Sequence, residues 1–278
     1  MKLKKLTIAA ISMVLLLGTG AAAQDKLYRD EFPLDAVKLL DGPLKHARDL
    51  NVSVLLQYDC DRLLAPYRKE AGLEPRKPSY PNWDGLDGHV GGHYLSAMAI
   101  NAATGSKECR ERMEYMLSEL ELVLQANDAR GKQWCKGYIG GIPSSEKLWE
   151  SYRQGDFSVY FGTWAPYYNI HKMFAGLRDA YVYGGSAKGL ELFLRLCDWA
   201  VDINSALSDA QMEQMLSNEH GGMDEVLADA YYLTGDKKYL DCAKRFAHKA
   251  LLIPLSKDED CLDNLHANTQ IPKVTGFE

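Results

Sequence analysis

The sequence predicts an all-α protein of stacked helical hairpins that curve into an α/α toroid. Three stretches carry this prediction: YLSAMAINAATGSKECRERMEYML, MFAGLRDAYVYGGSAKGLELFLRLCDWA and VLADAYYLTGDKKYLDCAKRFAHKAL. Each reads as an apolar, Ala-rich helix, a break at Thr104-Gly105, Gly184-Gly185 or Thr234-Gly235, and a second, amphipathic helix. Self-similarity on this scale marks a repeat architecture. Glycine is the expected left-handed terminator, and Ser106, Ser186 and Asp236 stand where a cap of the next helix is needed. The first helix of each unit, as in Leu95 to Ala103 and Val226 to Leu233, is apolar nearly all round, which fits a helix surrounded by others. The second alternates apolar and charged positions, so one face meets water. Hairpins of this kind stack into an open solenoid or a toroid. The repeat glycines fall at 105, 185 and 235. Such uneven spacing, with the insertions gathered before the first helix of each unit, argues against a regular solenoid.

In chain order, residues 1–23 read as a secretory signal: Lys2, Lys4 and Lys5, an apolar run from Leu6 to Leu17, and Ala21-Ala22-Ala23 as a cleavage site. The apolar run is short of the ~20 residues that a spanning helix needs, and no Cys follows it to take a lipid. A periplasmic or secreted product beginning at Gln24 is expected, with 24–278 as one domain and no membrane association after cleavage. Leu and Val at helical spacing predict one outer helix from about Pro43 to Leu64. Four insertions then sit at or just before the start of an inner helix: YPNWDGLDGHVGGHY, the stretch Gly131 to Asn169, LSNEHGGMDE and LHANTQIPK. Each holds a His beside Gly, Asn or an aromatic. Loops on a rigid scaffold carry binding groups, and in a toroid these ends converge on one cavity.

The net charge of −6, with acids and bases interspersed, excludes the basic stripe that follows a nucleic-acid backbone. Sixteen Tyr, seven Phe and five Trp exceed what a plain helical core requires, and sugar clefts use such rings. The six Cys are scattered without a C-x-x-C pair, so buried free thiols are expected rather than a disulfide framework.

His89 and His93 have an H-x-x-x-H spacing, but Gly91 and Gly92 weaken the helix between them and no Glu follows His89, so a metal is not expected there. His93 is read as a substrate hydrogen bond or a helix start. Trp83 and Tyr168 offer flat faces to a sugar ring. His171 follows TWAPYYN and is either a satisfied core histidine or a sugar contact. Glu219 and His220 precede Gly221-Gly222, where backbone approaches a ligand closely, while Asp224 and Glu225 are read as first-turn acids favoured by the helix dipole. His266, Asn268 and Gln270 place three polar side chains in five residues, for hydroxyl recognition or for capping. Asp84, Asp87 and Glu219 are the rim acids, and Cys135, between Lys132 and Lys136, is the local candidate for a thiolate.

The stretches VKLLDGPLKHARDLN, DRLLAPYRKEAGL, GLDGHVGGHYLSA, YNIHKMFAGLRDAY, NEHGGMDEVLADAYYLTGD and LHANTQIPK, in this order, resemble the β-L-arabinofuranosidases of glycoside hydrolase family 127. The resemblance runs from about Phe32 to Glu278. It implies an (α/α)6 barrel that hydrolyses terminal arabinofuranosides with retention, using a zinc-bound cysteine thiolate as nucleophile and a glutamate as acid/base. It tilts His171 toward sugar contact and implies a plant-type oligosaccharide or glycoside as partner. In the family the E-x-C stretch and the Cys-Cys pair follow the HANTQIPK segment, which these 278 residues do not extend far beyond. Glu259-Asp260-Cys261 precedes His266 instead and is not given the role. Catalytic residues are therefore unassigned, zinc is expected in the full-length family and no cofactor in this chain, and the chain is expected not to turn over. Six hairpins spaced as these are need roughly 300 to 480 residues, so an incomplete (α/α)6 toroid with an exposed apolar edge is expected. Two other readings stay open: a different six-hairpin sugar enzyme (an unsaturated glycuronyl hydrolase or an epimerase), or a non-catalytic carbohydrate-binding helical protein.

Overall fold

Glycines in left-handed backbone set the hairpins. Gly105, Gly185 and Gly235 have φ of 99°, 69° and 71°, a region closed to most side chains, and the helices on either side turn back on each other there. A computed structural model describes residues 32–81 and 85–277. In chain order its helices are α1 (Pro43–Leu55), α2 (Cys60–Glu70), α3 (His89–Ala103), α4 (Lys107–Ala129), α5 (Ser145–Arg153), α6 (Ser158–Gly162) and α7 (Pro166–Val182). They continue as α8 (Ala187–Ser205), α9 (Asp209–Met215), α10 (Met223–Thr234), α11 (Lys237–Arg245), α12 (Lys249–Leu255), α13 (Ala267–Gln270) and α14 (Pro272–Thr275). No strand occurs among the described residues, and no described helix is long and apolar enough to cross a membrane.

The pairs α3–α4, α7–α8 and α10–α11 are the three predicted hairpins. Their first helices form an inner layer, with α3 against α7 and α7 against α10, and their second helices an outer layer, with α4 against α8 and α8 against α11. Inner helices are lined with buried residues such as Leu95, Met98, Phe174, Leu177, Val226 and Leu227, as their unbroken apolar sequence requires. Caps were legible in part: Ser106 accepts from the Cys109 amide and Asp236 from the Lys238 amide, but Ser186 makes no capping bond, and its hydroxyl donates to Glu114 instead. An apolar edge is exposed, with Tyr232 of α10 and Ile271, Val274 and Phe277 near the C-terminus facing solvent.

Two expectations are corrected. The single helix from Pro43 to Leu64 is two, because Asp59 caps a new helix by accepting from the Asp61 and Arg62 amides, while Arg112 of α4 holds the Leu56 and Tyr58 carbonyls at 2.7 and 2.6 Å. The stretch Gly131 to Asn169 is not a rim loop but carries α5 and α6 into the core. Most of its aromatics fill that core, while Phe161 and Trp164 stay exposed: Trp149 lies 4.9 Å from Trp199, Tyr138 lies 5.0 Å from Trp199, and Tyr167 lies 5.1 Å from Phe246, centroid to centroid. The Tyr152 and Tyr167 hydroxyls both donate to Asn204 Oδ1, at 2.6 and 3.0 Å. Most of the surplus aromatic residues thus serve packing, where each buries a large area, although the indole N–H groups of Trp134 and Trp149 stay unpaired.

Candidate functional site

The inner helices begin at one rim, and glycines let them approach backbone to backbone. A Cβ on Gly92 would overlap the Lys172 carbonyl and sit 2.5 Å from the Met173 amide nitrogen, and one on Gly176 would sit 2.6 Å from the Gly92 oxygen. His93 and Lys172, each next to such a contact, are thereby brought to the same place. Ahead of α10, Gly221 (φ 58°) and Gly222 lie across the imidazole of His171, since a Cβ on either would come within 3.0 Å of that ring. The Gly222 Cβ would also meet a Glu225 carboxylate oxygen at 2.7 Å. Tyr168, one turn before Lys172, lies beneath it, the ammonium 4.2 Å from the ring centroid.

Burial decides the charge state here. His171 is buried, and desolvation, followed by Lys172, His93 and His220, lowers its pKa to about 3. His220 has no exposed surface; desolvation, then Lys273, lowers it to about 3, although its bond to the Asn218 carbonyl opposes this. His93 stands at the solvent-facing mouth, yet crowding by neighbouring atoms, then Lys172 and His89, lowers it to about 4. Burial lowers the half-buried Lys172 as well, opposed by the Glu219 and Glu225 carboxylates. Both buried imidazoles leave Nε2 without a hydrogen-bond partner. Buried polar atoms are rarely unpaired, and Asn127 Oδ1, Trp134 Nε1, Trp149 Nε1 and Asp224 Oδ2 share this condition elsewhere.

A second polar knot ties the HANTQIPK segment to this rim. Lys273, only 1% exposed, donates to His248 Nδ1 at 2.9 Å and to Gln270 Oε1 at 3.0 Å. Asn268 Nδ2 donates to Glu219 Oε1 at 3.1 Å. Desolvation lowers Lys273 to about 8, against the attraction of Asp224, Glu213 and Glu219. Asp224 is 3% exposed with Oδ2 unpaired, and Gly276 packs on it, a Cβ there falling 2.6 Å from the carboxyl carbon. Desolvation raises Asp224 to about 7. It is a first-turn acid of α10, as the sequence suggested, and a buried one. Since the folded chain holds this proton to higher pH than the unfolded chain does, Asp224 costs stability progressively from pH ~4 to ~7 and fully above that. Asp224→Asn is therefore expected to be more stable than the parent at pH 8, by at most about 4 kcal/mol, and no more stable at pH 4. Urea midpoints at the two pH values check this, and a pH-independent difference contradicts it.

The structure brings together His93, Tyr168, His171, Glu219 and His220, with Asn268 joined through Glu219. Gln270 accepts from Lys273 through Oε1 at 3.0 Å. His266 stands exposed at the start of α13 and makes no capping bond. Trp83 and Asp84 lie outside the described residues. Asp87 contributes its backbone carbonyl, which accepts from Asn169 Nδ2 at 2.9 Å. Cys135 is buried, its thiol donates to the Asn127 carbonyl at 3.2 Å, and burial pushes its pKa up, so it is no activated thiolate. Cys60, Cys109, Cys197 and Cys242 are buried free thiols as well. These residues do not fit a zinc-bound thiolate, and among the described residues no three His, Cys, Asp or Glu side chains gather as a metal site. Lys172, Lys273 and Asp224 were missed as site-shaping residues. For Lys172 a signal was present, a lone cation in the first half of an otherwise apolar inner helix.

A family model described as Beta-L-arabinofuranosidase, GH127 catalytic domain, matches residues 36–278. No curated protein matches the chain.

Proposed function

The chain belongs to the GH127 β-L-arabinofuranosidase family, and from this premise we propose that the rim of α3, α7 and α10 binds a terminal arabinofuranosyl unit of a plant-type glycoside. One observation carries the reading: the unpaired Nε2 atoms of two buried, neutral histidines at the Gly221-Gly222 crossing, with His93 and Lys172 beside them. Sugar hydroxyls are uncharged and both donate and accept. Neutral imidazoles pair with them without the cost of burying a charge. Export, suggested by the leader at residues 1–23, would place the protein where such glycosides occur. We further propose that this 278-residue chain binds without cleaving, because burial holds the thiols of Cys60, Cys135, Cys197 and Cys242 in the protonated form.

The test is titration of the purified chain with methyl β-L-arabinofuranoside, followed by amide shifts or calorimetry, beside an assay for released arabinose. Saturable binding is expected, weakened at least about tenfold in His171→Ala, the scale of one lost buried hydrogen bond. No arabinose is expected. Absence of binding overturns the assignment of the rim, and zinc-dependent release of arabinose overturns the absence of turnover.

A further inference from the structure

Lys172 Nζ lies 3.3 Å from Nδ1 of His171. An ammonium has three hydrogens and no lone pair, so it can only donate, and the ring nitrogen it meets must be the unprotonated one. We propose that Lys172 is a positioning residue that fixes the tautomer of His171, leaving Nδ1 as acceptor and directing the single ring N–H, on Nε2, toward the Gly222 side of the rim.

Neighbouring histidines sharpen the point by contrast. His220 Nδ1 lies 3.2 Å from the Asn218 carbonyl and His89 Nδ1 lies 2.6 Å from the Leu86 carbonyl. A carbonyl only accepts, so both rings carry a proton on Nδ1, and the neutral His220 presents Nε2 as an acceptor. The unpaired Nε2 atoms of His171 and His220 are thus opposite in sense, one a donor and the other an acceptor. A hydroxyl group can satisfy both kinds, and an ether oxygen or a methyl cannot. The knot at Lys273 repeats the device: its ammonium meets His248 Nδ1 at 2.9 Å, and His248 Nε2 then points at Glu213 Oε1, 3.7 Å away. A lysine holding a histidine in the Nε2–H form therefore occurs at two places on the same rim. That the His171 proton serves a sugar hydroxyl rests on the function proposed above; the tautomer itself does not.

The experiment is nitrogen–proton correlation NMR of the histidine rings in the intact chain labelled with 15N-histidine, near pH 7 and without sugar. His171 is expected to show a pyridine-like Nδ1 and a pyrrole-like Nε2. In Lys172→Met, of similar length and uncharged, the ring should shift to a mixture or to the Nδ1–H form, and Lys172→Arg should restore the original pattern. His248 serves as the internal check, since it should keep the Nε2–H form in all three proteins if each is folded. A pyrrole-like Nδ1 on His171 in the parent, or an unchanged tautomer in Lys172→Met with His248 intact, overturns the proposal. Methyl β-L-arabinofuranoside added to the same samples should bind at least about tenfold more weakly to Lys172→Met. If the tautomer behaves as stated and no protein binds the sugar, the sugar reading fails and the role of Lys172 stands.

Discussion

Gly92→Ala is expected to destabilise the protein by roughly 3 kcal/mol or more, the upper range for overpacking a dense interior. The added methyl has no room, because the carbonyl of Lys172 and the amide of Met173 occupy its position and both belong to the backbone of another helix. A flexible side chain would yield, but here α3 and α7 must separate. Separation strains the most extensive helix contact in the fold, and it moves His93 away from Lys172, so sugar binding should weaken together with stability. For a domain of this size the thermal midpoint should fall by on the order of 6 to 12 °C. Gly162→Ala is the control, since a Cβ there meets nothing within 4 Å, and a surface change of that kind should stay within about 0.5 kcal/mol. Equal midpoints for the two variants would show that α3 and α7 are not packed as described.

This close crossing also explains what was legible beforehand. The hairpins were readable because their signals are local: apolar periodicity, a left-handed glycine, and a cap within three residues. The helix break at Leu56–Asp59 was not, because half of its cause is Arg112, more than fifty residues along the chain. Likewise the aromatics of 131–169 carry no sign of whether they face sugar or core, since that is decided by Trp199 and Phe246 on elements that come later. Of the site, the histidines were legible because each sits near Gly, Asn or an aromatic at or just before the start of an inner helix. Their protonation was not, because it is set first by burial and then by Lys172 and Lys273, which read as ordinary cations until the fold brings them to the rings. Asp224 shows the same limit: in sequence it is a first-turn acid, and only Gly276, packed on top of it, makes it a buried carboxyl.

Those buried groups should dominate the acid stability of the protein. His171 and His220 have folded pKa values of about 3, far below the ordinary imidazole range of about 6.5. Unfolding frees both rings to take up protons, so stability is complete above pH ~6.5 and falls as pH drops toward 3, by at most about 2.7 kcal/mol per pH unit with two protons in play. His248, lowered mainly by burial, acts in the same direction. Asp224 opposes them, since from pH ~7 down to ~4 the folded chain binds its proton first, returning about 1.4 kcal/mol per unit. Lys273, at about 8, titrates above this window. The exposed His93 is screened by water and adds little. The parent should thus lose about 3 kcal/mol between pH 6.5 and 4, a large share of the ~5–15 kcal/mol typical of a domain. Asp224→Asn removes the opposing proton and should roughly double that loss, starting from a higher stability near pH 7 and meeting the parent's curve near pH 4. His220→Gln removes one titrating ring and should flatten the slope, whatever it does to stability at pH 7. Urea unfolding followed by tryptophan fluorescence at half-unit steps reads all three slopes. If the parent and His220→Gln run parallel from pH 6.5 to 4, His220 is not buried as a neutral imidazole, and the acceptor assigned to the rim is lost with it.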